Sequence, residues 1–182
     1  MPEWDDREII EGIRAPGKKE TAFEQLVRKY QERLYWHIRK IVIGHEDADD
    51  VLQNTMIKVW RSISEFRADS SLFTWLYRIA TNEALTFLKQ KKKRTFAPWV
   101  DAERQMSERL KTDPWFDGDE IRLKLQRAIL KLPEKQRIVF NMKYYDDLKY
   151  EDMAEILGTS VGALKASYHH AVKKIEAMLK ED

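Results

Sequence analysis

Apolar residues return at every third or fourth position along most of this chain, the spacing that gives a helix one buried face. The stretch TAFEQLVRKYQERLYWHIRKIV sets Phe23, Leu26, Val27, Tyr30, Leu34, His37, Ile38 and Ile41 on such a stripe, and Thr21 with Glu24 stands at capping-box spacing before it. EDADDVLQNTMIKVWRSI opens on acids, which suit the positive end of a helix dipole, and then repeats Val51, Leu52, Met56, Val59, Trp60 and Ile63. LFTWLYRIATNEALTFLKQKKK follows, with Ser70 or Ser71 to cap it and lysines where a helix end carries negative potential. Its stripe of Leu72, Trp75, Leu76 and Ile79 assigns Trp75 to the interior. These three helices are expected to share one core.

Residues 95–119, TFAPWVDAERQMSERLKTDPWFDGD, interrupt the pattern with prolines, a glycine and many acids, which predicts an interdomain connection. Fully extended, such a stretch reaches roughly 80 Å, so the flanking domains need not touch. Periodicity resumes in EIRLKLQRAILKL, in PEKQRIVFNMKYY with Pro133 as a first-turn proline, and in YEDMAEILG. The last helix follows GTS, where Gly158 suits a left-handed helix end and Thr159 and Ser160 offer capping hydroxyls. The expectation is an all-α protein of two small domains, 1–94 and 120–182.

The final pair of helices has the parts of a helix-turn-helix: a small residue at the crossing, Ala154, a tight turn at Gly158 and an apolar anchor, Leu164. Val161, Leu164, Tyr168, Ala171 and Ile175 trace the buried side of the second helix, leaving Gly162, Lys165, Ala166, His169 and His170 outward. Small outward residues let a helix sit deep in a major groove, with Lys165 as donor. Two packed helices with a glycine turn account for the same spacing.

Composition narrows the field. Zero cysteines exclude disulfides and thiolate metal sites, and six glycines with five prolines leave little material for sheets rich in tight turns. No apolar run reaches membrane-spanning length and the N-terminus is acidic, so a cytoplasmic protein without membrane insertion is expected. Net charge is only +2, but Arg67 to Thr95 holds seven bases against two acids, and Phe96 to Glu120 seven acids against three bases. Arg67, Arg78, Lys89, Lys91, Lys92, Lys93 and Arg94 therefore stand as phosphate contacts, with a solvated lysine tail as the alternative. In HEDAD, His45 lacks the second histidine of HExxH and the acids lack the order of a calcium loop. Neighbouring His169 and His170 lie about 100° apart on a helix and cannot form an i, i+4 metal pair. Neither a metal site nor a cofactor is expected, nor an enzyme: there is no phosphate-cradling glycine loop and no nucleophile with a base.

Two long segments carry a resemblance. FRADSSLFTWLYRIATN is similar to the pattern F-R-G-[DE]-S-S-F-x-T-W-L-Y-R-I-A-x-N, departing at Ala68 and Leu72. LPEKQRIVF and SVGALKASYHHA resemble L-P-x-x-x-R-x-V-F and S-V-G-T-V-K-S-R-L-H-R-A. In this order they resemble the bacterial sigma factors of the extracytoplasmic-function group, over nearly the whole chain. The resemblance implies a specificity subunit that joins core RNA polymerase, directs it to promoters, helps to open the DNA, and is commonly restrained by an anti-sigma factor.

The same resemblance distributes roles. Phe66, Arg67, Asp69, Ser70 and Ser71 fall on the loop that captures a flipped −10 base, a step costing a few kcal/mol of unstacking. Arg78, Asn82 and Lys89 continue that site along the following helix. Asn82 is the foremost candidate for base readout, because an amide both donates and accepts at a base edge; an asparagine bridging two helices is the alternative. Asp47, Asp49, Asp50, Gln53 and Asn54 match the segment that docks on core polymerase, where opposite charge would orient the approach. Ser160, Gly162, Lys165, Ala166, His169, His170 and Lys173 would face the −35 duplex. Here the chain has Ser167, His170 and Val172 where relatives often have arginine, so affinity would lean on Lys165, Lys173, Lys174 and Arg137. A duplex-only repressor and a structural helical adaptor remain as rivals, although the FRADSSLFTWLYRIATN segment has no purpose in either.

Overall fold

The computed structural model describes residues 3–94 and 120–181, and the expectations for 95–119, with the aromatics Phe96, Trp99, Trp115 and Phe116, lie outside them. Among the described residues all regular structure is helical. The chain divides into two compact units at Gln90 and Lys91.

The first unit begins with a helix that the periodicity analysis missed, α1 (Asp6–Arg14). Its signal is short but complete: the Glu8 amide donates to Asp5 Oδ1 and the Asp5 amide to Glu8 Oε2, both at 2.8 Å, in a reciprocal capping box. Ile9 and Ile13, one turn apart, are buried. At Gly12 a β-carbon would lie 2.8 Å from that of Ala22, so the glycine permits the close approach of α1 to α2. The Tyr30 hydroxyl donates to both Asp6 carboxylate oxygens at 2.8 Å, and Lys29 Nζ lies 2.8 Å from Oδ1. Burial and then that bond raise the Tyr30 hydroxyl above its ordinary pKa.

Helix α2 (Lys19–Val42) buries Leu26, Tyr30, Leu34, His37, Ile38 and Ile41 as its stripe requires. The expected cap does not form. The helix starts at Lys19, ahead of Thr21, and its N-cap Lys18 makes no side-chain bond, because α1 and a short turn already deliver the chain into helix. At the other end Ile43 has φ 71° and ψ −42°, and the Gly44 amide donates to Val42 O at 2.9 Å, a γ-turn that strains a β-branched residue. Ile43 is 8% exposed, and burying such a side chain contributes about 2 kcal/mol, comparable with the strain. The corner starts α3 (His45–Ser62), which buries Ala48, Val51, Thr55 and Val59. A single 3-10 turn, Ile63–Glu65, leads to the loop before α4 (Leu72–Arg94).

Ser71 caps α4 as expected: the Thr74 amide donates to its Oγ at 3.1 Å. Leu72, Leu76, Ala80, Ala84 and Leu88 form the buried side, whereas Trp75 and Ile79 are half-buried, so Trp75 belongs to the edge of the core. Beneath them Thr81 donates to Tyr77 O at 2.6 Å, so its oxygen is left to accept from His37 Nε2 at 2.8 Å. His37, placed among apolar positions by its spacing, is thus a buried polar link between α2 and α4.

Among its described residues the second unit has four helices that follow α4: α5 (Glu120–Leu130), α6 (Glu134–Tyr144), α7 (Tyr150–Leu157) and α8 (Val161–Glu181). Pro133 is the N-cap of α6, one position earlier than expected. Ala128, Ile129, Leu132, Phe140, Ala171 and Ile175 make the core, with Leu125, Tyr168, Val172 and Met178 packed on it. Gly158 ends α7 at φ 63° and ψ 37°. Ser160 is the cap of α8, accepting from the Ala163 amide at 3.2 Å, while the Thr159 hydroxyl turns back to donate to Leu157 O at 3.4 Å.

Candidate nucleic-acid interface

The loop from Phe66 to Ser71 is anchored at its start. The Phe66 ring is 7% exposed, meets the Trp75 ring at 5.1 Å between centroids, and so forms the floor of the loop rather than an open face for a base. Its carbonyl accepts from Arg14 Nη2 at 3.2 Å. Arg67, Ala68 and Asp69 are exposed, Ser70 is half-buried, and Ala68 sits at φ 60°, in the left-handed region. That is the position at which the resembled pattern carries glycine, and the conformation costs a β-carbon about 1 kcal/mol.

Beyond the loop α4 presents one continuous outward face. At 100° per residue Arg78, Asn82, Lys89 and Lys93 fall within about 60° of one another, opposite the buried side, and all are exposed. Asn82 makes no hydrogen bond with any described residue, so the helix-bridging alternative has no partner there. Glu83, the acid of this segment, faces aside and pairs with Lys58 of α3 at 2.6 Å.

Helix α3 turns a different chemistry outward. Asp49, Asp50, Gln53 and Asn54 are exposed and Asp47 is half-buried beside Gly44. His45 is held by its neighbours: its Nδ1 bonds the Tyr35 hydroxyl and its Nε2 lies 3.5 Å from Asp49 Oδ2. Among the described residues no three histidine or carboxylate groups are arranged to hold a metal ion. The sequence reading overlooked Ile57, which is 45% exposed within the same face, one turn after Gln53 and Asn54. Its signal was available, because it falls off the stripe formed by Val51, Thr55 and Val59.

On α8 the outward set is Gly162, Lys165, Ala166, His169, His170 and Lys173, all exposed and within about 140° on the helical wheel. A β-carbon at Gly162 would meet nothing, so that residue leaves the surface low. Ser160 spends its oxygen on the α8 cap and retains a hydroxyl proton to donate. Lys165 Nζ lies 5.7 Å from the centre of the Tyr150 ring, at the start of α7, and Lys143 Nζ lies 5.2 Å from it. The ring therefore draws the lysine across the turn, a contact that sequence spacing could not reveal. Arg137 departs from expectation: it is 2% exposed, its Nε has no partner, and burial lowers its pKa. So buried, it offers no exposed charge to a phosphate, and the cations that α8 itself turns outward are lysines. Tyr145 is 40% exposed, yet partial burial of its hydroxyl pushes the pKa up to about 12.

Two outward faces that carry cations, on α4 and on α8, and one acidic face on α3 are thus in view. The Sigma-70 region 2 family matches residues 26–94 and the Sigma-70 region 4 family residues 122–175, together more than half of the chain. The chain belongs to the sigma-70 family. Its relatives place it in the extracytoplasmic-function group. It is 31% identical to the ECF RNA polymerase sigma-E factor of Haemophilus influenzae, over 94% of this chain and 93% of that protein. It is 30% identical to the sigma-E factor of Escherichia coli K12 over 94% and 92%, and 29% identical to the RNA polymerase sigma-H factor of Pseudomonas aeruginosa over 96% and 93%. The fold is similar to that of CnrH, solved with the cytosolic domain of CnrY, with TM-score 0.70 and 24% identity, covering 97% of this chain and 98% of that one. It is similar also to the sigma factor RpoE of Bartonella quintana, solved with the anti-sigma factor NepR, with TM-score 0.66 and 23% identity, covering 88% and 98%. As a sigma factor the chain is not an enzyme: it binds core RNA polymerase, directs it to promoters and assists their opening.

Proposed function

We propose that this sigma factor divides its work between residues 1–94, which dock on core polymerase and take the −10 element as a single strand, and residues 120–182, which read the −35 duplex, with 95–119 joining them. The exposed amide of Asn82 carries the first half of this reading. It stands centrally on the outward face of α4, flanked by Arg78 and Lys89, so a base edge has a donor and an acceptor while the backbone has cations on either side. Asp47, Asp49, Asp50, Gln53 and Asn54 form the docking face, and the exposed Ile57 gives it an apolar centre. Lys165, His169, His170 and Lys173 face the −35 duplex, with Gly162 and Ala166 leaving room for the groove.

The protein acts in the cytoplasm, where its template lies; no described helix is long and apolar enough to cross a membrane. An anti-sigma factor restrains it, a reading supported by the complexes in which the similar folds were solved. In vitro transcription with core polymerase tests the whole. Only a sigma factor makes initiation promoter-specific, and Asn82→Ala should lower open-complex formation about tenfold at matched −10 sequences. An equal yield from wild type and variant would remove Asn82 from base readout.

A further inference from the structure

The chain between α3 and α4 is strained in its middle and tied at both ends. Ala68 has φ 60°, a conformation that a β-carbon disfavours. Strain of this kind persists where surrounding structure over-determines it, and it gathers at ligand clamps. On one side the surrounding structure is the Ser71 cap of α4. On the other it is the Phe66 carbonyl, held by Arg14 Nη2 at 3.2 Å, above a Phe66 ring packed on Trp75. Arg14 is the last residue of α1, an element 52 residues upstream that packs against the 3-10 turn leading into the loop.

We infer that Arg14 is a positioning residue for the −10 loop: its guanidinium fixes the Phe66 carbonyl and thereby sets Arg67, Ala68 and Asp69 in the conformation that takes single-stranded DNA. The inference rests on the reading of that loop proposed above. A loop set before binding surrenders less entropy when the strand arrives, so affinity and base selectivity both gain. Arg14 has this role without touching DNA. Glycine at position 68 would take the same φ unaided and would need the tie less.

The test uses holoenzyme reconstituted from the full chain and core polymerase, and fork-junction DNA whose single-stranded −10 segment is randomised. Sequences enriched by the wild type supply the probe. Arg14→Ala is expected to weaken binding of the enriched fork about fivefold, the net size of one ordinary hydrogen bond. It should also flatten base enrichment in the −10 segment, leaving core affinity, −35 duplex affinity and the slope against log salt unchanged. Arg14→Lys, which keeps a donor, should restore part of the loss, and Ala68→Gly in the Arg14→Ala background most of it. A salt slope reduced by about 1 makes Arg14 a phosphate contact and overturns the inference. Equal losses in the Ala68 and Gly backgrounds, no loss at all, or a lowered melting temperature with matching losses in every assay overturn it too. Asn82→Ala and Arg67→Ala run alongside. If neither weakens the fork, the loop reading fails and takes this inference with it; if they do and Arg14→Ala does not, only the inference fails.

Discussion

Arg137 shows how a residue type misleads until its surroundings are known. In sequence it is one more cation near a DNA-reading helix; in the fold it is 2% exposed on α6, with an orphaned Nε and only the field of Glu134 to favour its charge. A guanidinium keeps its proton even so, which means that the unit carries a desolvation cost with little return. Arg137→Met keeps the bulk and drops the charge. It should raise the stability of the second unit by about 1 kcal/mol in urea unfolding and leave −35 affinity unchanged. A fall in −35 affinity with unchanged stability would put the guanidinium back on DNA. Lys165 is the converse case: it is exposed as its place on the helix required, while its direction depends on Tyr150, a contact across the turn.

Elements were legible where a long stripe coincided with burial. Leu26, Leu34, Ile38 and Ile41 on α2, and Leu164, Ala171 and Ile175 on α8, lie inside as their periodicity required. Helix α1 was missed because Ile9 and Ile13 make too short a stripe to register, although the Asp5 and Glu8 capping box marked its start. The Thr21 and Glu24 pair failed as a cap for a related reason. A capping motif acts only where the chain enters a helix, and here α2 has already begun. Asn82, Arg78 and Lys89 were singled out by the resemblance and by the run of bases, and their 3.6-residue spacing agrees with the one exposed face they share; the strain at Ala68 and the Arg14 tie were not legible, being consequences of tertiary contact. The basic end of α4 gives a prediction at this scale. A lysine-rich helix end is stabilised by the dipole whether or not DNA is near, so position alone does not separate the two uses. Replacing Lys89, Lys93 and Arg94 together by alanine should reduce the salt slope of single-strand binding by about 2, as counterion release requires. An unchanged slope in a filter-binding titration would assign them to solvent.

The whole molecule has a net charge of only +2 and yet serves partners of different kinds, and its outward charges are segregated. Helix α3 faces outward with Asp49 and Asp50, whereas α4 faces outward with Arg78, Lys89 and Lys93, and the Lys58–Glu83 pair lies between the two helices. A DNA backbone would be repelled by the first surface and drawn to the second, so under the proposed assignment docking on polymerase and gripping the promoter would not compete for one face. Charge governs the rate of such an approach more than its strength, and exposed charges are screened by salt. Ile57, 45% exposed among the polar residues of α3, is the group whose burial would hold the complex once formed. The two contributions therefore separate kinetically. Reversing charge at Asp49 and Asp50 to lysine should slow association with core polymerase about tenfold at low salt, a difference that shrinks at high salt, with dissociation little changed. Ile57→Ala should instead speed dissociation about tenfold at every salt concentration, as expected for loss of a buried apolar anchor worth about 1.5 kcal/mol. Stopped-flow mixing with labelled core polymerase measures both. If both variants alter the same rate constant with the same salt dependence, α3 does not act as a steering rim around an apolar centre.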